Sequence, residues 1–120
     1  MKALIVDDSK VVRSVISNIL ADLGINYDEA ENGNWALERV SQESYKFIIL
    51  DWNMPEKDGI TFFSEAKEKG LLEDTQVIFC TTENEVEKIT EAINLGANEY
   101  IMKPFNKEIL EEKLQILGVI

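Results

Sequence analysis

Short apolar runs alternate with helical apolar stripes five times along the chain, which predicts an α/β fold. The expected architecture is a three-layer sandwich built on a (βα)5 doubly wound, parallel, five-stranded sheet. Three observations carry this. The runs Ala3–Val6, Phe47–Leu50 and Val77–Cys80 are continuously apolar, as strands covered on both faces must be. A segment with apolar residues every three or four positions follows each run, and parallel strands need such crossovers. Gly24, Gly70 and Gly96 stand where helical stripes stop. The 120 residues suit one compact unit, so a single domain spanning 1–120 is expected.

The elements follow in order. Ala3 to Val6 reads as a buried strand ending at Asp7-Asp8. Val12, Ile16, Ile19, Leu20 and Leu23 form a helix stripe that Gly24 closes. Residues 26–30 give a weak second strand. After the turn residues Asn32-Gly33-Asn34, a short helix is marked by Ala36, Leu37 and Val40. Phe47 to Leu50 is the central strand and ends at Asp51. Pro55 and Asp58-Gly59 make a loop and turn, followed by a helix from about Ile60 to Lys69. Val77 to Cys80 is the fourth strand, ending at Thr81-Thr82. Val86, Ile89 and Ile93 stripe a helix capped by Gly96. Tyr100 to Met102 is a short fifth strand. Pro104 breaks the chain, Asn106 is an N-cap, and Ile109, Leu110, Leu114 and Leu117 stripe the last helix.

Composition excludes several classes of function. A net charge of −11 would repel the phosphates of nucleic acid and an anionic membrane surface, so neither is an expected partner. No apolar stretch approaches the ~20 residues of a membrane span. Cys80 is the only cysteine and sits in an apolar run, so a buried inert thiol in a reducing compartment is expected. Met1-Lys2-Ala3 leads straight into a strand, so no secretion signal is expected, and a cytoplasmic location is expected with it. The chain has no histidine, which rules out histidine general-base catalysis and histidine-ligated zinc or haem.

In open parallel sheets the ligand site lies beyond the carboxyl ends of the strands, at the switch point. Asp7 and Asp8 follow strand 1, Asp51 strand 3, Thr81 strand 4 and Lys103 strand 5. With strand order 2-1-3-4-5 these groups converge. Taken singly, each has a plainer explanation. Asp7 and Asp8, with Ser9, could cap the next helix, Thr81 could be another cap, and Lys103 one more surface lysine. Taken together, three adjacent carboxylates repel unless protonation, the lysine or a cation relieves them. Oxygen donors without histidine or cysteine select a hard ion, with Mg²⁺ the abundant choice and Mn²⁺ able to substitute. Carboxylates, an ammonium and a hydroxyl around an open position suit a phosphoryl group, which a carboxylate itself can accept.

Two other readings meet obstacles in the sequence. An Asp-nucleophile phosphatase of the haloacid dehalogenase type needs a second Asp two residues after the first, where this chain has Asn53. A flavodoxin-type flavin site needs a Ser/Thr/Gly phosphate loop after strand 1, and Asp7-Asp8-Ser9 is its electrostatic opposite.

The sequence resembles the receiver domains of two-component response regulators, and among them the CheY-like chemotaxis branch. The resemblance spans essentially the whole chain. It rests on Val6-Asp7-Asp8-Ser9, on Asp51-Trp52-Asn53-Met54-Pro55 with Asp58-Gly59, on Thr81, and on Tyr100-Ile101-Met102-Lys103-Pro104-Phe105. It implies that Asp51 is the phospho-acceptor. Asp8 and Asp51 would ligate Mg²⁺ with the backbone carbonyl of Asn53, and Asp7 would act through water. Lys103 would pair with phosphoryl oxygens, with its bond to Pro104 cis. Thr81 would donate its hydroxyl to the phosphoryl group, and Tyr100 would turn inward as Thr81 moves. Asn53 and Glu83 would modulate dephosphorylation, giving a phosphoryl lifetime of seconds to minutes. Thr82 departs from the small residue common at its position, and its bulk is expected to narrow the site or hinder the inward Tyr100.

The same resemblance implies a histidine kinase of the chemotaxis type as donor and the flagellar motor switch protein as output partner. Contact would run through Ile89, Tyr100, Met102, Phe105 and Lys113. A phosphatase is an optional further partner, the expected state is a monomer, and no enzymatic activity is expected beyond the chain's own phosphorylation and dephosphorylation. A phosphorelay intermediate, or a receiver belonging to a longer regulator, is the alternative within the same fold.

Overall fold

The computed structural model describes residues 1–82 and 86–120. Five strands and five helices alternate: β1 (Lys2–Val6), α1 (Lys10–Asp22), β2 (Asn26–Ala30), α2 (Gly33–Gln42), β3 (Phe47–Asp51), α3 (Gly59–Glu68), β4 (Gln76–Thr81), α4 (Val86–Asn94), β5 (Glu99–Met102) and α5 (Lys107–Ile116). The strands form one parallel sheet in the order β2-β1-β3-β4-β5, as the sequence predicts.

Alternate strand residues feed two cores, which is why the runs are apolar at every position. Leu4, Val6, Ile48, Leu50, Val77 and Phe79 face α2 and α3, where Ala36, Val40, Phe62, Phe63 and Ala66 cover them. Ala3, Ile5, Phe47, Ile49, Ile78, Cys80 and Ile101 face α1 and α5, covered by Ile16, Ile19, Leu20, Leu110 and Leu114. Cys80 is a buried free thiol, and burial pushes its pKa up.

Local chemistry sets the helix starts. Ser9, Asn32, Asp58 and Asn106 each accept a hydrogen bond from the backbone N–H three residues on, at 2.9–3.3 Å. Asn32-Gly33-Asn34 is therefore a helix entry more than a turn. Gly33 opens α2, and its N–H donates to the Lys57 carbonyl at 3.0 Å. Any side chain on Gly33 would collide with Lys57.

Two predicted stripes are shifted. In α4, Ala92 is buried while Ile93 is 42% exposed and Ile89 is half-buried. Ala92 is one position round the helix from Ile93, so α4 sits on the sheet by its small face and turns Ile93 outward. In α5, Leu110 and Leu114 are buried and Ile109 is 41% exposed. No helix among the described residues is long and apolar enough to cross a membrane.

Candidate functional site

The chain runs from β1 outward to β2 on one side and from β3 outward to β5 on the other. This leaves the carboxyl ends of β1 and β3 side by side at the switch point. Strand register then fixes what meets there. Val6 pairs with Leu50, which brings the following residues, Asp7 and Asp51, to the same level. Asp51 pairs with Cys80, and Thr81 with Met102, the residue before Lys103.

Carboxylate oxygens of Asp7, Asp8 and Asp51 all lie within 4.8 Å of one another. Asp7 and Asp51 are buried and Asp8 is exposed. The Lys103 ammonium bridges the buried pair, donating to Asp7 Oδ2 and Asp51 Oδ1 at 2.9 Å each. Its backbone is fixed as well, with the N–H donating to the Thr81 carbonyl at 2.7 Å and the peptide bond to Pro104 cis. Four of the sequence-predicted groups, Asp7, Asp8, Asp51 and Lys103, thus meet at one rim, and the fourth strand holds the lysine in place.

Burial pushes the Asp51 carboxyl up to about 6. The Lys103 hydrogen bond opposes this, and the charges of Asp7 and Asp8 add to it. Lys103 is raised well above its ordinary range: burial pulls it down, but hydrogen bonds and charge from Asp51 and Asp7 outweigh that. A buried carboxylate with two acidic neighbours and one cation is short of positive charge. The donor set is oxygen only, so the residues fit a hard divalent ion. Next to them a hollow of about 360 Å³ is lined by Asp8, Asn53, Met54, Pro55 and Asp58.

The loop after β3 is shaped around this end. The Gly59 N–H donates to the Trp52 carbonyl at 2.9 Å. A methyl group at Gly59 would strike the Asp51 carbonyl, so only glycine allows the loop to close so tightly. Asn53 is exposed beside the hollow.

The remaining predicted residues sit further out. Thr81 is buried, and its hydroxyl donates to the Thr82 carbonyl at 3.3 Å. Thr82 is exposed and lines an apolar hollow with Val11, Val15, Pro104 and Phe105. Tyr100 is half-buried with the Lys113 ammonium 4.7 Å from its ring centroid, and Lys113 also pairs with Glu99 at 3.3 Å. Met102 and Phe105 are half-buried, and Phe105 packs on the α1–α5 core. Glu83 lies outside the described residues.

Two residues near the site escaped the sequence reading. Arg13 Nη1 donates to the Asp7 carbonyl at 2.6 Å, while its Nε pairs with Glu29 at 3.0 Å. Its place four residues after the Ser9 cap was a usable signal, because a first-turn side chain can fold back on the strand end. Lys88 of α4 donates to Asn53 Oδ1 at 3.3 Å and lies 5.4 Å from the Trp52 ring centroid. No sequence signal connects residues so far apart.

Known proteins of the same plan share both sheet and sequence. Residues 3–115 match the family model described as the response regulator receiver domain. The chain is 38% identical over 116 residues to the chemotaxis protein CheY of Pseudomonas aeruginosa, covering 96% of this chain and 94% of that protein. It is 40% identical to the chemotaxis protein CheY homolog of Campylobacter jejuni, over 98% of this chain and 93% of the relative. The solved structure of the chemotaxis response regulator CheY4 of Vibrio cholerae superposes with a TM-score of 0.89 at 34% identity, covering 97% of each chain. With a family match over nearly its full length and the acidic switch point in place, the chain belongs to the response regulator receiver domain family.

Proposed function

We propose that this chain is a single-domain phospho-acceptor switch. Asp51 takes a phosphoryl group from a histidine kinase, and the altered surface signals to a protein partner. The observation that carries this is the Asp51 carboxylate at the end of the central strand, bridged by Lys103 to Asp7 within an all-oxygen acidic cluster.

In the transfer, an Asp51 oxygen bonds to phosphorus as the phosphorus–nitrogen bond of the donor phosphohistidine breaks. The electron pair returns to the imidazole. Asp51 must be ionised to attack, and a pKa of about 6 leaves it mostly so at neutral pH. Mg²⁺ held by Asp8, Asp51 and the Asn53 carbonyl, with Asp7 acting through water, would neutralise the phosphoryl oxygens. Lys103 is already at hydrogen-bond distance from the acceptor and would shift onto a phosphoryl oxygen.

The acyl phosphate carries roughly two negative charges where the carboxylate carried one, and it brings three acceptor oxygens. The Thr81 hydroxyl, now on the Thr82 carbonyl, would exchange that weak bond for a charge-assisted one. The movement would leave room for Tyr100 to turn in from beneath Lys113. The half-buried Ile89 and outward Ile93 of α4, with Tyr100, Met102, Phe105 and Lys113, would then present a changed face. The chemotaxis names of the relatives support a chemotaxis kinase as donor and the flagellar motor switch as output, in the cytoplasm, with the chain a monomer. Its only catalysis would be of its own phosphorylation and dephosphorylation.

Acetyl phosphate with Mg²⁺, followed by intact mass, tests this. Wild type should gain one phosphoryl group, while Asp51→Asn and wild type in EDTA should gain none. An adduct on both proteins would remove Asp51 as the acceptor.

A further inference from the structure

The loop after β3 is held from two sides. On one side, Trp52 is buried, its ring 5.2 Å from Phe79 of β4, and its carbonyl accepts from Gly59 at 2.9 Å. On the other, Lys88 reaches from α4 across the Trp52 ring to the side chain of Asn53, the residue proposed to offer its main-chain carbonyl to the cation. This tie joins the first turn of α4 to a loop 35 residues away in sequence. Asn53 itself is exposed.

From this geometry we infer that Lys88 is a positioning residue for the cation site. By holding the Asn53 side chain, it orders the peptide whose carbonyl serves as ligand, so binding does not have to order it. The inference rests on the proposed cation reading of Asp8, Asp51 and Asn53. A purely electrostatic role would have the opposite sign. A nearby ammonium repels a divalent ion, so its removal would tighten binding.

The test is a Mg²⁺ titration read by Trp52 fluorescence in a Trp35→Phe background, with Trp35 exposed and the chain's only other tryptophan. No phosphodonor is present. Lys88→Ala should weaken Mg²⁺ binding roughly tenfold, the low end of what is lost with a group that orients a metal ligand. Lys88→Arg, which can still donate to Asn53 and stack on Trp52, should stay within about twofold of wild type. Thermal unfolding in EDTA should place both variants close to wild type, since Lys88 stands outside both apolar cores. Lys88→Ala binding as tightly as wild type or more tightly would overturn the inference while leaving the cation reading intact, as would Lys88→Arg binding as weakly as Lys88→Ala. A wild type that shows no saturable Mg²⁺ response would remove the cation reading, and the inference with it.

Discussion

Replacing Asp51 by Asn should stabilise the metal-free protein, and the gain should grow with pH. The native Asp51 carboxyl titrates at about 6, against 3.8 for the ordinary group. Between these values the native state holds a proton that the unfolded chain has released, so stability falls as pH rises through this window. Once both states are ionised, the full difference corresponds to about 3 kcal/mol against the native state. At pH 5 the native carboxyl is still mostly protonated, and linkage leaves the wild type about 1.4 kcal/mol better off than at pH 8. Asn carries no charge to desolvate, keeps an oxygen for Lys103, and has no titration of its own. Urea unfolding of both proteins in EDTA at pH 5, 6, 7 and 8 isolates this contribution, because every other group titrates in both. The advantage of Asp51→Asn should widen by about 1.4 kcal/mol from pH 5 to pH 8, most of it below pH 7. A pH-independent difference, or a wild type that gains on the variant as pH rises, would refute the account of Asp51 as a carboxylate held against its desolvation.

Two further perturbations probe the same balance and an independent one. Lys103→Met removes the ammonium between Asp7 and Asp51, and should cost about 3 kcal/mol at pH 8 and less at pH 5, where Asp51 can take up a proton. Equal losses at the two pH values by urea unfolding would contradict it. Tyr45→Phe deletes the hydroxyl that donates to Asp28 Oδ2 at 2.6 Å beneath the β1–β2 edge, and should cost about 1–2 kcal/mol near neutral pH. Burial raises the Asp28 carboxyl, but the Tyr45 bond and Lys2 together hold it below its ordinary value. That stabilisation is lost as pH falls through the native pKa, so the cost of Tyr45→Phe should shrink in acid. Thermal melts at pH 7 and at a pH well below 3.8, the ordinary value, measure it, and a cost that grows in acid would be the wrong sign.

The parts legible in the sequence were those that depend on local chemistry or on the two periodicities. The continuous runs at 3–6, 47–50 and 77–80 could only be doubly covered strands, and the crossover helices forced them parallel. Once Asp7, Asp51 and Lys103 were placed at strand ends, their meeting followed from sheet order. The Asn106 cap was equally plain. The rotation of α4 was not, because Ile89 and Ile93 look like a core stripe and only packing shows that Ala92 takes the sheet face. Asn32-Gly33-Asn34 read as a turn for a similar reason: Asn favours turns and caps alike, and the Lys57 carbonyl that demands a glycine lies 24 residues away. Lys88 was beyond reach, since its partners, Trp52 and Asn53, become neighbours only through the fold.

The site as a whole is built to be short of positive charge. One ammonium faces three carboxylates. A second lysine in the hollow beside Asp8 would stabilise the fold and lower the Asp51 pKa. It would also satisfy permanently the carboxylate oxygens proposed to engage a cation, leaving the ion little to gain by binding. Stability withheld at Asp51 is what makes the site responsive. A bound cation would bring the positive charge that the cluster lacks, and the native state would be stabilised by its binding. A receiver with a comfortable Asp51 would be sturdier and could not switch. The widening advantage of Asp51→Asn with pH and the Mg²⁺ affinity proposed to depend on Lys88 therefore measure two sides of one arrangement: the first, how much charge the fold leaves uncompensated, and the second, how well the loop after β3 is prepared for an ion that would compensate it.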